Sequence, residues 1–104
     1  MNANLEKVLH SLTPIQSAVI RMMSAKGENY APFEAPTLGL YGKAMRQSGI
    51  GTGEISVEVL GVQQALIALQ DKKLVWKASR GVYAVDEQVI VELLRADRLL
   101  EGLD

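Results

Sequence analysis

Residues 61–85 read GVQQALIALQDKKLVWKASRGVYAV, and this stretch decides the fold. Its first half places apolar residues at helical spacing, three and four positions apart. A pair of lysines then leads into two short apolar runs, residues 74–77 and 82–85. Gly81 lies in the turn between them and supplies the positive φ that a tight hairpin turn needs. The pattern therefore predicts an amphipathic helix followed by a two-stranded hairpin.

The amphipathic helix is predicted to be capped by Ser56 and to run to about Lys72. Its predicted buried stripe consists of Val59, Val62, Leu66 and Leu69. Gln63 and Gln64 then fall on the solvent face, where glutamine amides can pair with adenine edges in a DNA groove. An ordinary polar surface gives the same pattern. In the hairpin, we expect Trp76 to anchor the core rather than to stack on nucleic-acid bases. Trp76 and Tyr83 can share the core face or form a cross-strand pair.

Two further helices are predicted upstream. Thr13 followed by Pro14 is a favoured helix start, because a helix needs no backbone donor at its first position, and Gly27 ends that helix. Met22 and Met23 are expected to fill its core side. A second helix spans residues 36–47, after an extended connector at 29–35 that can form an edge strand beside the hairpin.

The glycine-rich segment at residues 48–54, SGIGTGE, is interpreted as a turn between helices. It lacks the Gly-Lys-Ser/Thr ending of a nucleotide-binding P-loop, and no strand leads into it.

A last helix is predicted after Asp86, which caps it. Its predicted apolar stripe consists of Val89, Ile90, Leu93, Ala96 and Leu100. Additional leucines extend the apolar surface beyond one face, which favours packing on a partner. The candidate interface residues are Leu93, Leu94, Leu99, Leu100 and Leu103.

Taken in order, these elements predict one domain over residues 1–104. The expected fold class is α+β and mostly helical: a winged helix-turn-helix with a β-hairpin wing and a C-terminal helix. A chain of 104 residues with 48% hydrophobic and 22% charged residues fits one ordered globular core.

The composition argues against catalysis and against a bound metal or other cofactor. The chain has no cysteine and a single histidine, His10, so it lacks the residues for a His/Cys zinc site or a thiolate nucleophile. No serine lies in a nucleophile-elbow pattern. Without a signal sequence or an apolar run long enough to cross a membrane, the chain is expected to be cytoplasmic and to have no membrane partner.

Charge is unevenly distributed, although the net charge is only −1. Residues 37–85 carry six lysines and arginines against three carboxylates, whereas residues 86–104 carry six carboxylates against two arginines. The basic part coincides with the predicted helix and hairpin. Double-stranded DNA is therefore one expected partner, through contacts to phosphates and base edges. The candidate DNA-contacting residues are Lys43, Arg46, Ser56, Gln63, Gln64, Lys72, Lys73, Lys77 and Arg80.

Three segments also resemble a known family. They are LTPIQSAVIRMM at residues 12–23, YAPFEAPTLGLYGKA at 30–44 and VQQALIALQDKKLVWKASRGVYAVDE at 62–87. Together they look like the winged-helix-like C-terminal domain of a family of bacterial AAA-type ATPases. The resemblance implies a fragment, or a free-standing relative, of a larger ATPase. No Walker A pattern occurs in these residues, so ATP hydrolysis is not carried over to any of them.

Two functions remain open at this point. One is a non-catalytic DNA-binding or DNA-docking module. The other is a protein-interaction module, which would pack on the ATPase domain or form a homodimer without binding DNA.

Overall fold

The computed structural model describes residues 3–47, 57–79, 82–85, 88–96 and 100. Within these ranges the chain forms five α-helices, a short 3-10 helix and two strands. In order they are α1 (Ala3–His10), α2 (Pro14–Lys26), the 3-10 turn Gly27–Asn29, α3 (Ala35–Gln47), α4 (Val59–Asp71), β1 (Val75–Ser79), β2 (Val82–Val85) and α5 (Gln88–Ala96).

The predicted fold class is confirmed. Helices α2, α3 and α4, the β1–β2 hairpin and α5 follow one another as expected for a mostly helical α+β, winged-helix-like domain. α1 precedes them and was not indicated by the sequence patterns.

Helix α2 begins at the predicted position because Thr13 forms a capping box. The Thr13 hydroxyl accepts a hydrogen bond from the Gln16 backbone N–H, and the Gln16 side chain accepts one from the Thr13 backbone N–H, each at 3.3 Å. Pro14 occupies the first helical position, where no donor is needed. The start of α2 is thus fixed by local chemistry alone.

Helix α2 is the centre of the fold. All seven residues from 18 to 24 are buried, including Met22 and Met23, which fill the core as predicted. Seven consecutive residues cover about two helical turns, so burial extends over every face of the helix. α2 accordingly packs against α3, α4, α5 and β2.

One of these buried residues is charged. Arg21 is 1% exposed, and its Nη2 donates a hydrogen bond to the carbonyl oxygen of Ala44 in the last turn of α3. The end of a helix carries unpaired carbonyls and partial negative charge, so this contact offsets part of the cost of burying the cation. Nε and Nη1 have no acceptor among the described residues, and burial lowers the pKa of Arg21.

Two buried tyrosines hold the connector between α2 and α3. The Tyr41 hydroxyl donates to the carbonyl oxygen of Pro32 at 3.0 Å, and the Tyr30 hydroxyl lies 2.5 Å from that of Tyr41. Since Tyr41 has one hydroxyl hydrogen, which goes to Pro32, Tyr30 is the donor to Tyr41.

The predicted edge strand at residues 29–35 is wrong, because the connector makes turns here and its backbone is tied to α3 by side chains.

The hairpin register explains why Trp76 is not in the core. Val75 pairs with Val85, Trp76 with Ala84 and Lys77 with Tyr83. Neighbouring side chains on a strand point to opposite faces, so Val75 is buried while Trp76 is 50% exposed. The prediction that Trp76 anchors the core is therefore wrong, and Trp76 neither shares a face nor pairs with Tyr83.

Helix α4 starts later than predicted. Glu58 occupies the cap position, its carbonyl accepts from the Val62 N–H, and its side chain makes no capping bond. Ser56 is therefore not the cap, and it lies outside the described residues. At the start of the helix Val59 is 41% exposed and does not join the buried stripe, which is otherwise as predicted.

None of the helices in the described ranges has both the length and the apolar character needed to cross a membrane.

The tyrosine pair predicts a loss of stability in alkali. Burial is the main reason why the pKa values of Tyr30 and Tyr41 lie above the ordinary 10, and the hydrogen bond that Tyr30 donates raises its pKa further. Above pH 10 the unfolded chain releases protons that the folded chain retains. The free energy of unfolding should therefore fall by up to about 1.4 kcal/mol per pH unit for each tyrosine.

Urea unfolding measured between pH 8 and 11 checks this expectation. The variant Tyr30→Phe with Tyr41→Phe should be less stable at pH 8, yet lose stability less steeply above pH 10. Tyr83→Phe leaves the pair intact and should keep the steep fall. Parallel pH profiles for the wild type and the double variant would contradict the expectation.

Candidate functional site

The solvent face of α4 is the first part of the candidate site. Its exposed residues recur three, four and seven positions apart, which places them on one side of the helix. They are Leu60, Gln63, Gln64, Ile67 and Asp71, and Val59 is exposed at the start of the helix. The opposite side packs into the core through Val62, Ala65, Leu66 and Leu69. The predicted exposure of both glutamines is confirmed.

This face combines amides with large apolar side chains and carries no cation. Leu60 is 60% exposed and Ile67 is 59% exposed, and no lysine or arginine lies between Val59 and Asp71. Amides can hydrogen-bond to base edges, and apolar side chains can contact a thymine methyl group or a partner protein. Positive charge must come from neighbouring elements.

The two lysines after α4 supply that charge through a defined helix ending. The Lys73 N–H donates to the Gln70 carbonyl, and the Leu74 N–H donates to the Leu69 carbonyl, at 3.0 and 3.1 Å. These two bonds form a Schellman motif, with Lys73 in the left-handed conformation at φ 62°. The motif leaves Lys72 and Lys73 exposed and turns the chain directly into β1.

The hairpin adds a third exposed cation. Lys77 Nζ lies 5.8 Å from the centre of the Tyr83 ring, within the range of a cation–π contact. This contact with its cross-strand partner orients the Lys77 side chain along the hairpin. Trp76 lies on the other face of the strand.

A groove of about 680 Å³ joins α4 to the hairpin. Gln63, Ile67 and Gln70 line its helix side, and Lys77 and Tyr83 line its hairpin side. Two predicted DNA-contacting residues, Gln63 and Lys77, thus meet at one groove.

Gln64 belongs to a different surface. It lines a smaller cleft of about 360 Å³ with Met45 and Leu60, on the side of α4 that faces α3. The two adjacent glutamines therefore face separate surfaces. Lys43 and Arg46 are exposed on α3, whereas Ser56 and Arg80 lie outside the described residues.

The predicted leucine interface on α5 needs correction. Leu94 is 4% exposed and Leu100 is 8% exposed, and both belong to the core. Neither is therefore available to a partner: Leu94 lies on the side of α5 that packs into the core, and Leu100, which follows α5, is buried as well. Leu93 is half-buried, and Leu99 and Leu103 lie outside the described residues.

The exposed apolar residues were largely missed by sequence reasoning. Leu60, Trp76 and Val82 are each about half exposed or more, at 60%, 50% and 49%. Leu60 could have been found, because it lies opposite the buried stripe at helical spacing. The other two depend on strand register, which periodicity over four or five residues does not fix.

No cluster of three or more His, Cys, Asp or Glu side chains that could hold a metal ion is found among the described residues. His10 is exposed at the end of α1.

Comparison of the chain with models of protein families, with curated proteins and with solved structures found no match. The resemblance to the C-terminal domain of AAA-type ATPases therefore rests on the residues quoted for it. What the fold itself defines is a winged-helix-like domain with a mixed amide, apolar and basic face.

The Schellman motif predicts opposite effects for two neighbouring glycine substitutions. A left-handed residue with a side chain costs about 1 kcal/mol, so Lys73→Gly should stabilise the domain by up to that amount. Lys72 has an ordinary helical φ of −82°, so Lys72→Gly should destabilise it by about 0.5–1 kcal/mol.

Each variant removes one lysine, so the two are matched in charge. Urea unfolding followed by circular dichroism measures the difference. Equal destabilisation by both substitutions would contradict the assigned helix ending.

Proposed function

We propose that the domain is a non-catalytic winged-helix module that docks on duplex DNA through α4 and the hairpin. The observation that carries this proposal is the grouping of Lys72, Lys73 and Lys77 where α4 runs into the hairpin. All three are exposed, and Lys77 lines the same groove as Gln63. Lysines contact phosphates and fix the position of the protein, while Gln63 reads base edges.

The strength of such binding follows from the small number of charges. Three phosphate contacts give a salt dependence of about −3 in log K against log salt, at about −0.9 for each contact. The net charge of −1 adds no general attraction to DNA. The isolated domain is therefore expected to bind weakly and at low salt. Attachment to a larger assembly would raise its effective affinity without new contacts.

In this proposal the module belongs to a cytoplasmic AAA-type ATPase or acts beside one. The resemblance of residues 12–87 to the C-terminal domain of that family supports this part. ATP chemistry would lie in another domain. A Walker A pattern upstream in the same reading frame would establish the connection, and a stop codon directly before Met1 would show a free-standing protein.

The DNA proposal is tested by fluorescence anisotropy with a labelled duplex across a salt series. Lys72→Gln and Lys77→Gln should each weaken binding on all sequences and make the salt slope shallower by about 1. Lys7→Gln removes the same charge from α1, which does not line the groove, and should change neither quantity. Absence of binding at low salt, or equal effects of all three variants, would overturn the proposal.

A second function, docking on a protein, is favoured by the apolar side chains on the same face. Fully burying a leucine or isoleucine is worth about 1.5–3 kcal/mol, so each half-exposed one can contribute about 1 kcal/mol on binding. Leu60 and Ile67 together can therefore support a modest interface with the ATPase domain or with a second copy.

A matched pair of substitutions distinguishes the two functions. Ile67→Ser removes apolar surface without changing charge, whereas Lys77→Gln removes charge and keeps the apolar surface. If the face docks on protein, Ile67→Ser should abolish concentration-dependent association in light scattering, or binding to the ATPase domain, and Lys77→Gln should have little effect. If the face docks on DNA, Lys77→Gln should weaken duplex binding and Ile67→Ser should have little effect.

A further inference from the structure

A second cleft, of about 510 Å³, lies between the end of α2, strand β2 and α5. None of its described lining residues belongs to α4. Its inner wall is apolar: Met23 is 2% exposed and Tyr30 is 7% exposed, and Val85 and Val91 are half-buried. A volume of this size matches pockets that hold small organic ligands.

The end of α2 leaves this cleft open. Gly27 lies on its lining with φ +57°, and a Cβ built there would meet no atom within 4 Å. Open space therefore extends beside the backbone where α2 ends.

Among the described residues, the lining of the cleft carries positive charge only. Arg95 is the charged residue of the lining, and no carboxylate lines it among the described residues. Arg95 is exposed. Its guanidinium can bind both oxygens of a carboxylate.

Two further polar groups flank Arg95. Gln88, Val91 and Arg95 recur at positions three and seven apart, so α5 presents an amide, an apolar side chain and a cation along one face. Across the cleft, the Ser24 hydroxyl donates its hydrogen to the Ile20 carbonyl at 2.9 Å. Its oxygen can still accept a hydrogen bond from a ligand.

We propose that this cleft binds a small amphipathic monocarboxylic acid. The apolar body of the acid would lie against Met23, Val85 and Val91, and its carboxylate would pair with Arg95, with Gln88 as a second donor. A neutral molecule would leave the guanidinium unpaired, and a cation would be repelled by it.

The proposal is tested on the full chain by calorimetric titration with octanoate and with its neutral counterpart, octanamide. The wild-type chain should bind octanoate at one site and octanamide about tenfold more weakly, as expected for loss of one charge-assisted hydrogen bond. Titration with 4-phenylbutanoate decides whether the apolar wall prefers an aliphatic or an aromatic body.

Arg95→Gln changes an exposed residue and should keep the fold while making octanoate bind as weakly as octanamide. Val91→Trp should fill the cleft and weaken both ligands. Arg46→Gln removes an arginine from α3 and is the charge-matched control, with no expected effect. Absence of saturable octanoate binding, or equal binding of the acid and the amide to the wild type, would overturn the proposal.

Discussion

The rest of the structure depends on the burial of α2 over its whole circumference. With residues 18–24 all inside the core, α3, α4, α5 and β2 all pack against this helix. The three-helix arrangement, the hairpin and α5 are successive layers placed against different sides of it. The helix that leads into the hairpin can therefore expose only its outer side, which gives the candidate site its orientation.

The contact between Arg21 and Ala44 is the point at which this arrangement is most costly. A guanidinium inside an apolar core is unfavourable unless its N–H groups are paired, and here one described acceptor is a carbonyl at the end of α3. The same contact ties the end of α3 to the centre of α2. It thus holds α3, the helix that precedes the candidate DNA-docking helix α4, in place. The cost is the free energy of burying the guanidinium.

Features set by neighbouring residues could be predicted from the sequence. The start of α2 at Thr13 and Pro14, the pairing strand at Val82–Val85 and the buried stripe of α4 all follow from local capping or periodicity. Features set by distant contacts could not. The hydrogen bonds among Tyr30, Tyr41 and Pro32 join residues as many as eleven positions apart, and no short motif encodes them. The burial of Leu94 likewise depends on how α5 is rotated against α2.

The same distinction applies to the candidate site. The exposure of Gln63 and Gln64 was predictable from the helical period, but their separation onto two surfaces depends on where α3 and the hairpin lie. The cations of the site were visible in the sequence, whereas Trp76 was assigned to the core and the exposure of Leu60 was not predicted. A surface with lysines at its edge and apolar side chains in its middle supports either a nucleic acid or a protein as partner.

The register of the hairpin also gives the molecule an intrinsic fluorescence probe. Trp76 is the single tryptophan of the chain, and it is half exposed on the outer face of β1. Indole emission shifts to shorter wavelength when water is removed from the ring. The emission spectrum of the unlabelled protein therefore follows one surface only, with no contribution from a buried tryptophan. A partner that covers the outer face of the hairpin will shift that spectrum, whereas one confined to the opposite face will leave it unchanged.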